Sequence, residues 1–439
     1  MLPSDFDRLT PLQRLIVEQA FVLAQELENA VDSAPKGQVV DRCESLLLGH
    51  GRNLLRRAME SSLQSRAEAL EKKGEPGRIC ACGTSGRHKR NSSKRVMTAL
   101  GAVVVWRAYF VCRACGLGGY VADGWLGLEG YLTRGAARLI FLLGGQRSFA
   151  VAERLLIECC GWKVSDERIR RACQAEATPI AEFRVESPVV AAAFTTAAGD
   201  VEFQTDAAKV NTTEGWRDMK IGIFAHRERG EPVTPADWDN RDLPAPTTRA
   251  AFAAIETIDD FAPRWSRWAA RLGIKDPTAT TVLGDGAEWI WNAVAREFGN
   301  CHQILDIHHA AEHVADAGTP EAAAWLQEGR RLLLSNGWAG LCDHVGAALL
   351  KAPDQARHVA LRGLTGYFAV HIERLNYCHR LYTGQSIGSR VVEGAAKNLI
   401  GRRLKQTGAR WKVGNVNRMA ELCCLTYSDH WSLYWASPN

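Results

Sequence analysis

The 439-residue sequence predicts an α/β protein in which a mixed sheet follows a helical and cysteine-rich N-terminal part. From about Val189 three strand-like runs follow one another, at 194–210, 218–228 and 249–257. Between 259 and 317 helix-like and strand-like runs then alternate. Strands joined by turns pair antiparallel, whereas strands separated by helices pair parallel. The sheet should therefore be antiparallel first and parallel after.

The composition is that of a globular protein. With 46% hydrophobic and 23% charged residues, the disordered, collagen-like and coiled-coil classes are excluded. The best apolar stretch, AARLIFLLGG, contains Arg138 and is too short for a membrane span, so no membrane partner is expected. The first residues lack the charge pattern of a signal peptide. Thirteen cysteines, an odd number spread over the chain, fit a reducing, cytoplasmic environment.

Residues 1–72 are expected to form an N-terminal helical region. Apolar positions recur there at spacings of three and four residues from residue 5 onwards. The segment KKGEPG interrupts this pattern, and a cysteine-rich unit over 73–125 follows. The helical region itself shows no residues that indicate chemistry.

Two pairs of cysteines predict that the 73–125 unit is a zinc ribbon. Cys80 and Cys82 are separated by one residue, and Cys112 and Cys115 by two. A structural Zn²⁺ takes four thiolates in a tetrahedron, which two tight turns can supply. The first pair is one residue shorter than the usual knuckle, so buried thiols without metal are the alternative, with His88 as a reserve ligand.

A basic run, GRHKRNSSKR, lies between the two cysteine pairs. It contains no acid, and in a ribbon we expect it to form a loop that faces DNA phosphates. A solvated charged surface is the alternative. The candidate DNA-binding residues of this run are Arg87, Lys89 and Arg90.

Residues 130–185 have the layout of a helix-turn-helix. One amphipathic helix is followed by the turn GWKV and by a second helix that Ser165 can cap. A purely structural helical hairpin is the alternative. The second helix carries three arginines that could contact phosphates or base edges, namely Arg168, Arg170 and Arg171.

The positive charge is concentrated near the C-terminus, after a helical stretch over 320–384. The whole chain carries +5, whereas Gln385–Lys412 alone has seven basic residues and one acid, a local charge of +6. Such a segment can contact DNA phosphates or form a solvated face. Its candidate DNA-binding residues are Lys397, Arg402, Arg403 and Lys405.

Three carboxylates lie on or next to predicted strands and helices where a functional site can form. Asp206 is on the first predicted strand of the sheet, Asp285 at the carboxyl end of the fourth, and Glu393 near the start of the basic helix. Sites in open α/β sheets form at the carboxyl ends of parallel strands. Hard divalent cations bind carboxylate oxygens, and two such ions can support phosphoryl transfer. Each acid taken alone could also be an ordinary turn or surface residue.

Four segments resemble the DDE transposases of bacterial insertion sequences, most closely the ISKra type. They are GWRDMKIG after Asp206, LGDGAEWIWN at Asp285, ILDIHHAAEHV, and IGSRVVEGAAKNLIGRRLKQTGARW around Glu393. The resemblance covers residues 75–430. It implies an RNase H-like catalytic core formed by 189–319 and 385–430, a helical insertion over 320–384, and an N-terminal region that binds the end of the element.

The resemblance also implies roles for individual residues. Asp206, Asp285 and Glu393 would be the catalytic triad that binds Mg²⁺ or Mn²⁺, and the Asp-x-x-His signature falls on Asp306 and His309. The first acid of such enzymes is commonly followed by Gly, where this sequence has Ala207. The implied activity is cleavage of element ends and their joining to target double-stranded DNA. Because two ends are joined, a homodimer or a higher oligomer is expected.

Parts of the sequence also fit two other functions. The ribbon and the helix-turn-helix alone would suit a non-catalytic DNA-binding regulator with an inert α/β domain. His309, Glu312 and His313 match the HxxEH pattern of zinc peptidases, in which two histidines bind Zn²⁺ and the glutamate acts as general base. That peptidase would need a third ligand, such as Glu393 or Glu421, and it leaves the cysteine pairs and the basic tail unexplained.

Overall fold

The computed structural model describes residues 8–72, 79–318, 322–352 and 354–437, which fall into two compact units. Unit 1 contains the described residues up to Leu143 together with Phe149–Ile169, and unit 2 contains Gly144–Ser148 and the described residues from Arg170 onwards. Within the described ranges, no helix combines the length and the apolar character that a membrane crossing requires.

Unit 1 begins with helices, as the apolar spacing predicts. They are α1 (Pro11–Ser33), α2 (Val39–Leu46) and α3 (Arg52–Leu70), with a π-helical turn at Leu47–Gly51. Thr10 starts α1 through a capping box, in which its hydroxyl accepts from the Gln13 N–H and the Gln13 side chain accepts from the Thr10 N–H. Residues 1–7, and residues 73–78 with most of the predicted break KKGEPG, lie outside the described residues.

The cysteine-rich part of unit 1 is a three-stranded antiparallel sheet. Its strands, in spatial order, are β1 (Gly86–Thr98), β2 (Gly101–Cys112) and β3 (Gly118–Tyr120). The prediction of a loop for the basic run is therefore wrong, because GRHKRNSSKR forms most of β1. This run has no apolar alternation of its own, and its pairing with β2 along the whole strand makes it a strand. Val96, Val103 and Val105 pack against Ala67 of α3 to form the core.

Helices connect the two sheets of the chain. Their bounds are α4 (Val121–Leu126), α5 (Arg134–Gln146), α6 (Phe149–Cys160), α7 (Asp166–Ala175), α8 (Ala177–Glu186) and α9 (Pro188–Thr195). Helices α6 and α7 are the two helices predicted for the helix-turn-helix, and the Ser165 hydroxyl accepts from the Arg168 N–H at 3.4 Å. The strand predicted from residue 194 starts later, because Pro188 opens α9 and the helix includes Phe194.

Unit 2 contains the predicted mixed sheet. Its five strands are β4 (Asp200–Thr212), β5 (Gly215–Arg227), β6 (Thr248–Ala254), β7 (Thr281–Gly284) and β8 (His302–Leu305). The spatial order is β6-β5-β4-β7-β8, in which β4, β5 and β6 pair antiparallel and β4, β7 and β8 pair parallel. The prediction of an α/β sheet that is antiparallel first and parallel after is confirmed.

Helices surround this sheet. Those before the predicted insertion are α10 (Ile258–Phe261), α11 (Pro263–Arg271), α12 (Glu288–Phe298) and α13 (Ile307–Asp316). The stretch predicted as helical insertion holds α14 (Ala322–Leu350, kinked at Gly337), α15 (Gln355–Ala369) and α16 (Tyr377–Tyr382), while residues 319–321 and 353 lie outside the described residues. The C-terminal part contains α17 (Arg390–Ala395), a π-helical turn at Ala396–Gly401, α18 (Val413–Tyr427) and α19 (Trp431–Ala436).

Strand β4 separates an apolar layer from a polar one. The ring of Phe203 lies 4.9 Å from that of Trp265 on α11 and 5.2 Å from that of Phe298 on α12, between ring centroids. Side chains alternate along a strand, so Glu202, Gln204 and Asp206 point to the opposite face. That face of β4 carries the candidate functional site.

Candidate functional site

Asp206 and Asp285 lie side by side at the centre of the sheet. Gln204 of β4 and Leu283 of β7 are parallel partners in the register. Asp206 and Asp285 each follow this pair by two residues, Asp285 directly after the last residue of β7. The register of two parallel strands therefore brings together two acids that are 79 residues apart in the sequence.

Gln204 holds the helix that carries Glu393 onto the same face. Its side-chain oxygen accepts hydrogen bonds from the backbone N–H groups of Val391 and Val392, both at 3.1 Å. These residues are in the first turn of α17, where the Val392 N–H also donates to the Ser389 carbonyl at 3.1 Å. Glu393 is the next residue of that turn. The third acid is thus fixed relative to β4 by a side chain two positions before Asp206.

Two further residues of β4 bind the segment that leads into α17. Buried Glu202 accepts from the Ser386 hydroxyl and forms an ion pair with Arg227 at 3.2 Å. Asp200 accepts from the Gln385 side-chain amide at 3.0 Å. Every second residue of β4 from Asp200 to Gln204 therefore holds a successive part of this segment.

The pKa of Asp206 is affected first by burial and then by its neighbours, which include the two other acids. Burial raises the pKa of the Asp206 carboxyl, and the negative charges of Asp285 and Glu393 raise it further. The Ala207 N–H, which donates to Asp206 at 2.6 Å, and the nearby His309 act in the opposite direction. The carboxylate form of Asp206 is therefore destabilised in the folded protein, and a bound cation would remove this cost.

Asp306 is a buried residue that joins two helices. One carboxylate oxygen accepts from the N–H groups of His308 and His309 at 2.6 and 3.2 Å and so caps α13. The other accepts from the backbone N–H and the hydroxyl of Ser389, the latter at 2.5 Å. Ser389 immediately precedes α17, so Asp306 positions the start of the Glu393 helix.

We expect Asp306→Ala to lower the free energy of unfolding of unit 2 by about 3 kcal/mol, because it removes a cap and leaves buried donors of Ser389 without a partner. Asp354 provides a matched control, since it caps α15 from an exposed position by accepting from the Arg357 N–H at 2.8 Å. Asp354→Ala should cost only about 1 kcal/mol. Urea denaturation followed by circular dichroism measures both, and equal losses would contradict a joining role for Asp306.

The insertion helix α15 contributes a wall beside Asp285. The ring of Tyr367 stacks on the imidazole of His313 with centroids 3.7 Å apart. A Cβ at position 286 would lie 2.2 Å from the Tyr367 hydroxyl oxygen, so only glycine fits next to Asp285. The hydroxyl of Tyr367 is buried and has no hydrogen-bond partner, and burial followed by the charge of Asp285 raises its pKa. Gly286 is thus a position where the backbone next to Asp285 approaches the ring of Tyr367 closely.

The histidines of the HxxEH pattern are engaged otherwise. His309 Nδ1 contacts Glu312 at 3.1 Å, and the ring of His313 packs on Tyr367. Burial lowers the pKa of His313. Among the described His, Cys, Asp and Glu residues, only four cysteines form a set of three or more whose ligand atoms all lie within 4.8 Å of one another. The ligand atoms of the HxxEH residues, and those of the three acids, are therefore not all within 4.8 Å of one another, the spacing expected for a site with one ion.

The four cysteines of the predicted ribbon converge and could hold a metal such as zinc. The sulfur of Cys82 lies 3.4 Å from that of Cys112, and the sulfur of Cys80 lies 3.5 Å from that of Cys115. Four Zn–S bonds of about 2.3 Å would place the sulfurs about 3.8 Å apart, so small movements suffice. A backbone hydrogen bond from Thr84, followed by one from the Cys112 thiol, lowers the pKa of Cys82 to about 6. At Cys115 a backbone hydrogen bond from Leu117 is outweighed by the thiols of Cys80 and Cys112, which raise the pKa to about 11. A metal that binds all four sulfurs would therefore displace protons.

The candidate DNA-binding residues differ in exposure. Eight of them are exposed: Arg87, Lys89, Arg90, Arg168, Arg171, Lys397, Arg402 and Lys405. Arg170 of α7 is half-buried and donates to Gln174 at 2.9 Å. Arg403 corrects the prediction, since its side chain is only 2% exposed and its Nε donates to the Gly144 carbonyl at 2.7 Å. A guanidinium buried in this way stabilises the fold and does not face DNA.

Sequence reasoning missed several residues of the site. Asp200, Glu202 and Gln204 precede Asp206 at alternate positions of DVEFQTD, and this period-two polar pattern on a central strand was a usable signal. Ser389 and Tyr367 gave no such signal, because their contacts depend on helices distant in the sequence. Comparison with known protein families and with curated proteins finds no match for this chain.

Proposed function

We propose that the chain is a DNA transposase of the DDE type, most similar to the ISKra group, with an RNase H-like catalytic core. The observation that carries the proposal is the gathering of Asp206, Asp285 and Glu393 on one face of the mixed sheet, where their charges interact. The pairing of β4 with β7 and the hydrogen bonds of Gln204 support it independently of the sequence resemblance.

The three carboxylates would hold Mg²⁺ or Mn²⁺. Two such ions about 3.5–4 Å apart can span carboxylates up to roughly 8 Å apart, which agrees with a set wider than a single-ion site. The ions would supply an activated water and stabilise the leaving oxygen at the phosphodiester. Water attack releases a 3′-hydroxyl at the element end, and this hydroxyl then attacks a target phosphodiester and displaces the 3′-oxygen of the target strand.

The remaining parts would supply DNA affinity. The exposed basic strand β1, in a ribbon that Zn²⁺ would stabilise, and the exposed arginines of α7 suit contacts with the phosphates of double-stranded DNA. Lys397 and Lys405 lie after the helix that bears Glu393 and would contact the strand being cut. Because two ends are joined in one reaction, the active form would be a homodimer or a higher oligomer on paired DNA.

The decisive experiment is cleavage of a supercoiled plasmid that carries the DNA flanking the coding sequence. We expect purified protein to nick or linearise it with Mg²⁺ or Mn²⁺, and not with excess EDTA. A plasmid without the flanking DNA and the Glu393→Gln variant are the controls. Binding of the flanking DNA with no cleavage under any metal condition would favour the non-catalytic regulator, and zinc-dependent hydrolysis of a peptide library would favour the peptidase.

A further inference from the structure

A cleft in unit 2 is lined in part by Asn398, Leu399 and Arg402, which follow the helix that carries Glu393. It has a volume of about 510 Å³, within the range of ligand-binding sites. Its polar lining consists of Gln146, Arg147, Asn398, Arg402, Thr426 and Tyr427. No aspartate or glutamate lines it, so the side chains that give it charge are two arginines.

These two arginines differ from the paired arginines of unit 2. Arg184 forms an ion pair with Glu421, and Arg227 with Glu202. Arg147 and Arg402 are exposed, and among the described residues neither side chain has a hydrogen bond, an ion pair or a ring contact. They are 255 residues apart in the sequence, and the fold brings both to one cleft. Two unpaired guanidiniums facing one space are suited to binding an anion.

The cleft is connected directly to the Glu393 helix. The side-chain amide of Asn398 donates to the Gly394 carbonyl at 2.7 Å, and the Tyr427 hydroxyl donates to the Val391 carbonyl at 3.0 Å. These two carbonyls belong to residues on either side of Glu393 in α17. An anion in the cleft would therefore lie next to the backbone that carries the third acid.

We infer that this cleft binds backbone phosphates of the DNA strand adjacent to the cleaved bond, with Arg147 and Arg402 as the phosphate ligands. The inference rests on the proposed function, which supplies a strand that must pass beside Glu393. The cleft is open, polar and without carboxylates, so a phosphodiester fits it better than an apolar ligand. Lys397, exposed in the turn between Glu393 and Arg402, extends the basic surface.

The test compares Arg147→Gln, Arg402→Gln and the double variant with wild-type protein. Each phosphate contact contributes about 0.9 to the slope of log affinity against log salt concentration. We expect each single variant to lower this slope by about 1 and the double variant by about 2, equally for flanking and unrelated duplexes. Fluorescence anisotropy between about 50 and 200 mM KCl measures the slopes. Because both side chains are exposed, the melting temperatures should stay unchanged.

Arg267→Gln is the matched control, since Arg267 on α11 is also exposed and without a partner, but lies outside the cleft. A double variant with the slope of Arg267→Gln would overturn the inference even if the protein cleaves DNA. If the arginine variants lower the salt slope but the wild-type protein never cleaves DNA, the cleft binds DNA phosphates and the proposed catalytic function is refuted. A different outcome is that inorganic phosphate raises the melting temperature of the wild type and not that of the double variant, while the salt slopes for DNA stay unchanged. That result would assign the cleft to free phosphate and refute the inference that it binds a DNA strand.

Discussion

Asp206→Asn, Asp285→Asn and Glu393→Gln are each expected to lower metal-dependent DNA cleavage by about three orders of magnitude or more, while DNA affinity is retained. An amide preserves the size of the side chain and can still accept the hydrogen bond that Asp206 receives from Ala207. It lacks the negative charge that a hard divalent cation requires. Because a site that has lost one ligand is already inactive, a double variant should lose little more than either single variant.

Thermal stability tests the proposed metal site without DNA. The raised pKa of Asp206 means that the folded state binds its proton more tightly than the unfolded state does. As the pH rises through the pKa that Asp206 has in the folded state, ionisation of its carboxyl lowers the free energy of unfolding. At pH 7 without metal, Asp206→Asn should raise the melting temperature. Mn²⁺ should raise the melting temperature of the wild type and have no such effect on the three variants.

Asp218→Asn is the control for both measurements. Asp218 is an exposed carboxylate on β5 that pairs with Lys209 at 3.0 Å. Its amide variant should cleave DNA and respond to Mn²⁺ like the wild type. A triad variant that cleaves at the wild-type rate would remove that residue from the metal site, and three active variants would refute the proposed chemistry.

Most of the sheet in unit 2 could be predicted because its signals are local. Strands β6 to β8 are short runs between turns or helices, and the helices α11 and α12 that flank β7 in the sequence favour parallel pairing of β7. The position of Asp285 at the end of β7 followed from the same pattern. Its register with Asp206 did not, because β7 is buried on both faces and its sequence has no alternation that specifies how it pairs with β4.

The features that could not be predicted depend on partners distant in the sequence. The basic residues of β1 form a strand because β2 pairs with them, not because of their own propensity. Arg403 lies in a strongly basic segment, which is typical of DNA-binding residues. Its side chain is nevertheless buried and donates to the carbonyl of Gly144, which lies 259 residues earlier in the sequence. Asp306 was identified only through a family resemblance, and its partner Ser389 is 83 residues further along the chain. Buried hydrogen-bond networks of this kind leave no periodic trace in the sequence.

Cys112→Ser is expected to release a metal ion from unit 1 and to unfold its three-stranded sheet. Cys112 is 4% exposed and ends strand β2, so it joins the metal site to the longest pairing in that sheet. Structural zinc contributes about 10–16 kcal/mol of apparent binding free energy in small domains, and a hydroxyl cannot replace the thiolate. Metal analysis of freshly purified wild-type protein should find one zinc per chain, and the variant should have none.

Limited proteolysis separates this effect from a general loss of folding. In Cys112→Ser, new cleavage sites should appear between residues 79 and 120, whereas unit 2, which has its own hydrophobic core, should stay protected. Cys159→Ser is the matched control, because Cys159 is an exposed thiol of unit 1 outside the cluster. It should retain zinc and the wild-type digestion pattern. Wild-type protein that is folded and free of zinc would show instead that these are four unliganded thiols, and the basic strand β1 would then depend on its pairing with β2 alone.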